Sequence, residues 1–139
     1  MRTITIFVTK YVVPLFTFLF GNCDYLLRVF ISVVAIDYIT GICKAFIKKK
    51  VNSSIGAKGI VKKVAYLCVI TISVFLDQLL KTSGFLRTIV ISSFLFNEIL
   101  SVLENCGAIG IKIPKALYFS LEKLNKDKEF SEKSKKLEK

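Results

Sequence analysis

Four acidic residues stand within or at the ends of apolar sequence: Asp37, Asp77, Glu98 and Glu104. A carboxyl can work as an acid or base, ligate a metal, or pair with a cation. The chain offers little for the first two. It has no histidine, and Cys23, Cys43, Cys68 and Cys106 form no CxxC pair, so the clustered nitrogen and sulfur ligands of a zinc site are missing. No nucleophile stands beside a base, and no glycine-rich loop follows a strand. We expect no catalytic residue, no metal and no cofactor. The cysteines read as small apolar residues in or near helices, and spacing alone does not decide whether any two form a disulfide.

Charge pairing remains. Helical spacing puts Val33, Asp37, Thr40, Gly41, Lys44 and Lys48 on one face, with Gly41 and Ala45 as a small-xxx-small pair that admits a second helix. Tyr66, Ser73, Asp77 and Lys81 share another face, with the acid four residues before the lysine, the favourable order for a helical ion pair. Ser93, Asn97, Glu98, Ser101, Glu104 and Asn105 form a polar arc on a third. At ~1.5 Å per residue, Asp37 and Glu98 fall at similar depth near mid-span. Arg28 and Asp77 fall near the outer ends and are candidates to pair, and Lys44 and Glu104 fall near the inner end. A charge at mid-bilayer costs on the order of 3 kcal/mol. These residues must therefore face protein or water, as bundle contacts, a water-filled path or a self-assembly surface.

The elements that carry them are membrane spans. The chain has 139 residues, is 53% hydrophobic and carries a net charge of +11, and its mean hydropathy is +0.59. Its apolar stretches, 25–47, 64–80 and 85–103, are each about long enough to cross a ~30 Å hydrocarbon core. The expected fold is all-α: an integral membrane protein with three core transmembrane helices over 25–104, an N-terminal apolar helix within 1–24, and a C-terminal amphipathic helix within 105–124. Leu117, Leu121 and Leu124 give that last helix its apolar stripe. Residues 125–139 read as a charged tail. Residues 4–20 have two open placements, spanning the membrane or lying in the outer interface.

The charges set the orientation. Lys48, Lys49, Lys50, Lys58, Lys62 and Lys63 fall in the expected loop 48–63, and more lysines run from Lys112 to Lys139. The positive-inside rule puts that loop and the C-terminus in the cytoplasm. Its cations face anionic lipid headgroups, worth ~1 kcal/mol each. They flank apolar spans with no aromatic platform among them, so nucleic acid is not an expected partner.

Several motifs in order carry a family resemblance. "DYITGICKAFIKKKVNSSIGAKGIVKK", then "FLD", then "NEILSVLENCGAIGIKIPKAL" resemble the holin family of bacteriophage lysis and clostridial toxin secretion. The likeness covers about residues 37–121. Its positions here are Asp37, Tyr38, Thr40, Gly41, Ser54, Gly56, Gly59, Lys62, Lys63, Asp77, Glu98, Ser101, Glu104, Asn105, Pro114 and Lys115. The resemblance implies a protein of the bacterial cytoplasmic membrane that forms homo-oligomeric lesions. These release a cell-wall hydrolase or a large toxin as cargo, with no specific cargo-binding site expected. An antiholin is a further partner the family suggests. Two other classes stay open: a non-conducting membrane partner, and a small selective channel.

Overall fold

A computed structural model describes residues 6–49, 53–117 and 119, with backbone alone at 8, 53–55 and 58. The protein is an all-α membrane protein. A π-turn, Val8–Val12, leads into helix α1, Val13–Phe20. Helices α2 (Tyr25–Ile47), α3 (Ser53–Leu80) and α4 (Phe85–Ala108) follow. Three segments are long and apolar enough to cross a membrane: Tyr25–Ile47, Gly59–Leu80 and Phe85–Ala108.

The helical limits follow from local chemistry. Pro14 sits in the first turn of α1, where no amide partner is needed. Gly21 ends the helix at φ +74°, a conformation that favours glycine. Asp24 then caps α2, its Oδ1 accepting from the Leu27 amide at 3.0 Å. The turn from α3 to α4 is tight, with Lys81, Ser83 and Gly84 all at positive φ.

Two boundaries differ from the sequence expectation. The expected loop 48–63 is much shorter, because α3 starts at Ser53. Its 28 residues reach about 42 Å, so the helix outruns a ~30 Å core. The early polar residues mask this start, since hydropathy rises only at Val64. The last span runs on to Ala108, three residues past Asn105, and a glycine at φ +95°, Gly110, follows. Of the expected C-terminal amphipathic helix, residues 115–117 and 119 are helical. Leu121, Leu124 and the tail 125–139 lie outside the described residues. The described helical part of the N-terminal segment, 6–20, is about 22 Å long, short of a full crossing.

Helix α4 packs along α2 and against α3, while α2 and α3 do not pack along each other. Each span turns a heptad-like stripe inward: Leu27, Phe30, Val34, Asp37, Gly41 and Lys44 on α2; Lys63, Tyr66, Ile70, Ser73 and Asp77 on α3; Arg87, Ile91, Phe94, Glu98 and Asn105 on α4. That spacing keeps a seam facing its partner. The middle layer is apolar, with Leu27, Phe30, Tyr66, Ile70 and Ile91 buried together. Tyr66 stacks on Phe94 with ring centroids 4.1 Å apart. Elsewhere large apolar side chains such as Ile39, Phe46, Ile72, Leu79 and Ile89 face outward, the pattern of a protein solvated by lipid.

Candidate functional site

Polar layers flank the apolar middle on both sides. The one nearer the lysine-rich end joins all three spans. Lys63 Nζ of α3 donates to Asp37 Oδ2 of α2 at 2.8 Å and also to Glu98 Oε2 of α4. Glu98 is 2% exposed. Asn105 Nδ2 donates to the other Asp37 oxygen at 3.1 Å and to Thr40 Oγ1 at 3.4 Å, and Lys44 Nζ donates to Asn105 Oδ1 at 3.0 Å. The chain of contacts is Glu98–Lys63–Asp37–Asn105–Lys44. Its two carboxylates and two ammonium groups cancel. A buried ion pair survives in low dielectric only when its remaining donors and acceptors are also met, and Asn105 does that here.

Seven of the expected residues meet at this layer. Asp37, Thr40, Lys44, Glu98 and Asn105 take part directly. Gly41 lies beside it: a Cβ there would sit 3.7 Å from Asn105 Nδ2, so the small residue faces α4 at close range. Lys63 is the seventh, and its position corrects the expectation of a lipid-facing loop residue. Ten residues into α3, it points inward from a helix. Asn97 and Glu104 are exposed and Ser101 is half-buried, and none of the three joins these hydrogen bonds. Lys48 and Lys49 are exposed at the C-terminal end of α2, and exposed Lys62 has its Nζ 5.5 Å from the Tyr66 ring centroid. Lys50 and the Lys58 side chain lie outside the described residues.

The layer at the opposite end, by the α3–α4 turn, differs from the expected Arg28–Asp77 pair. Arg28 is exposed and its Nε reaches only the Asp24 carbonyl, at 3.4 Å. Asp77 is buried at the last turn of α3, beside the first turn of α4. It accepts from the amides of Leu86 and Arg87 at 3.0 and 2.8 Å and from the Thr82 hydroxyl. The carboxylate thus meets amides that a helix start leaves without partners. Lys81 makes no ion pair with Asp77, because the chain leaves the helix there at φ +55°.

The guanidinium at this end belongs to Arg87, which sequence reasoning missed. Its Nε donates to the Phe20 carbonyl at 2.7 Å, Nη1 to Asp24 Oδ2 at 2.7 Å, and Nη2 to the Asn22 carbonyl at 2.9 Å and Asp24 Oδ1 at 3.2 Å. One side chain therefore ties the start of α4 to the turn between α1 and α2. Arg87 holds the Asp24 carboxyl below its ordinary value of 3.8. Gly21 makes room, since a Cβ there would lie 3.1 Å from Arg87 Nε. The heptad step from Arg87 to Ile91, Phe94 and Glu98 was the available signal.

Three apolar spans bundled around a charge-neutral polar layer define a helical multi-pass membrane protein. A family model for the bacteriophage holin family matches residues 14–126, and the chain belongs to that family. It is a holin-like membrane protein. An uncharacterized 14.9 kDa protein in the nagH 3′ region of Clostridium perfringens is 39% identical over 82% of this chain and 87% of its own length. The uncharacterized protein YqxH of Bacillus subtilis is 32% identical over 82% of this chain and 81% of its own. The uncharacterized protein Lmo0128 of Listeria monocytogenes is 37% identical over 74% of each. No solved structure matches the chain.

Proposed function

We propose that this protein is a holin that self-assembles in the bacterial cytoplasmic membrane into lesions, through which a cell-wall hydrolase or a large toxin leaves the cytoplasm. The observation that carries this reading is the layer of Asp37, Lys63, Glu98, Asn105 and Lys44 shared by three spans. Ionisable groups at that depth are costly and mark function in membrane proteins. In the single bundle they satisfy one another, so the chain can accumulate without leaking. Three spans are too few to enclose a wide opening. Copies that assemble can turn the same polar groups toward water, which then bears the cost of their charge.

The exposed lysines Lys48, Lys49 and Lys62 and the run beginning at Lys112 support a cytoplasmic inner end and C-terminus. They also supply contacts for anionic headgroups. Induced expression in a bacterium carrying a folded fluorescent reporter tests the function. A holin stops growth abruptly, collapses the membrane potential and lets the reporter escape. Accumulation in the membrane without collapse identifies a non-conducting partner instead. Collapse with the reporter retained identifies a selective channel.

A further inference from the structure

Because α4 lies between the other two spans, a groove is left between α2 and α3. It holds a cavity of about 280 Å³, walled by Phe30 and Val34 of α2 and by Lys63 and Leu67 of α3. Phe16 and Phe20 of α1 also line it, and both pack on the buried cluster around Leu27 and Phe30. Phe18 lies against Phe75 of α3, ring centroids 5.5 Å apart. What fits this groove is thus on view: a short apolar helix with phenylalanines four residues apart.

Every copy of the chain carries one such helix on a four-residue turn, 21–24. We propose that α1 of one copy exchanges into the α2–α3 groove of the next, so that the protein assembles head to tail by swapping its N-terminal helix. This rests on the self-assembly reading above and names its interface. The occupied groove makes the same contacts in the exchanged and unexchanged forms, so exchange is a low-cost route to assembly. The turn has the reach. Four extended residues span about 13 Å, more than the 8–10 Å between packed helices.

What resists exchange is Arg87. It grips the Phe20 and Asn22 carbonyls and the Asp24 carboxylate, which belong to the very turn that has to open. Arg87 is therefore the latch on the swap. A one-way exchange fills each groove from its neighbour and closes a ring or extends an array. Assemblies of either kind can grow to the width that a folded protein needs.

The test uses full-length chains in which Cys23, Cys43, Cys68 and Cys106 are replaced by serine. One chain carries Phe18→Cys and one affinity tag, the other Phe75→Cys and a second tag. Both are expressed together in one membrane and oxidised. A disulfide between the two can form only across copies. We expect a mixed disulfide dimer once assembly has begun, with Arg87→Gln in both chains raising its yield severalfold at early times. An amine-reactive cross-linker reports assembly independently. A second pair, Phe16→Cys with Leu67→Cys, guards against local disruption and is expected to behave alike. Multimers by amine cross-linking without mixed disulfides from either pair overturn the swap and leave self-assembly standing. No multimers by any route overturn self-assembly, and the swap with it.

Discussion

Lys63 Nζ lies 2.8 Å from Asp37 Oδ2 while it also bonds the Glu98 carboxylate, so one cation from α3 holds acids from α2 and α4. It joins two helices that pack along each other to a third that touches only one of them closely. Removing it leaves two carboxylates in one polar layer without the cation they share. We predict that Lys63→Met lowers the stability of the bundle in detergent micelles by about 3 kcal/mol, the usual cost of stripping one partner from a buried pair. Glu98→Gln in the same chain restores part of the loss. Denaturant titration measures both, and an unchanged unfolding midpoint in Lys63→Met counts against the bridge.

Asp37 receives Lys63 on one oxygen and Asn105 on the other. Asp37→Asn keeps its size and one acceptor but loses a charge. Asp37→Leu loses every polar contact and suits lipid. At matched protein levels, we expect Asn to shift the time of lysis after induction. Leu is expected to abolish lysis while leaving membrane insertion intact. Wild-type lysis timing in both variants means that Asp37 is merely tolerated.

The end of the bundle at the α3–α4 turn separates two arginines. Arg87 is buried and makes four side-chain hydrogen bonds, whereas Arg28 is exposed. Arg87→Ala is predicted to destabilise the bundle by about 2 kcal/mol, the scale of losing charge-assisted hydrogen bonds. Arg28→Ala is predicted to stay within about 0.5 kcal/mol of the parent. Equal losses in the two contradict this assignment.

The same clamp sets an acid limit. Arg87 lowers the folded-state value of Asp24, so the pair's contribution is complete above the ordinary value of 3.8 and is lost as pH falls through the depressed one. Between pH 7 and 5 it changes nothing. Acid titration in micelles should show Arg87→Ala losing less stability than the parent below pH 3.8.

Much of the bundle is legible in the sequence because lipid imposes simple rules. Length and hydropathy mark three spans, and the stripe through Asp37 and the arc through Glu98 put two acids at one depth. Lys63 is hidden because hydropathy rises only at Val64, while the backbone turns helical at Ser53. Once α3 is started there, Lys63 falls in step with Tyr66, Ile70 and Asp77 and faces inward. Arg87 escaped for a different reason. Two of its four side-chain hydrogen bonds go to backbone carbonyls more than sixty residues away, at the end of α1 and in the turn after it, and only tertiary packing brings carbonyls to a side chain.

Orientation is open to labelling. In a cysteine-free chain, Ser83→Cys in the α3–α4 turn is expected to react with a membrane-impermeant maleimide added to intact cells, and Lys49→Cys to react only after lysis. The reverse pattern would put the lysine-rich end outside.

The lesion itself is best measured in vesicles made from bacterial lipid, loaded with both a small dye and a folded fluorescent protein. Purified protein is added at rising density. A self-assembling holin releases both contents together, abruptly, above a threshold density, and Asp37→Leu releases neither. Release of the dye alone, graded with protein density and with the fluorescent protein retained, contradicts the account.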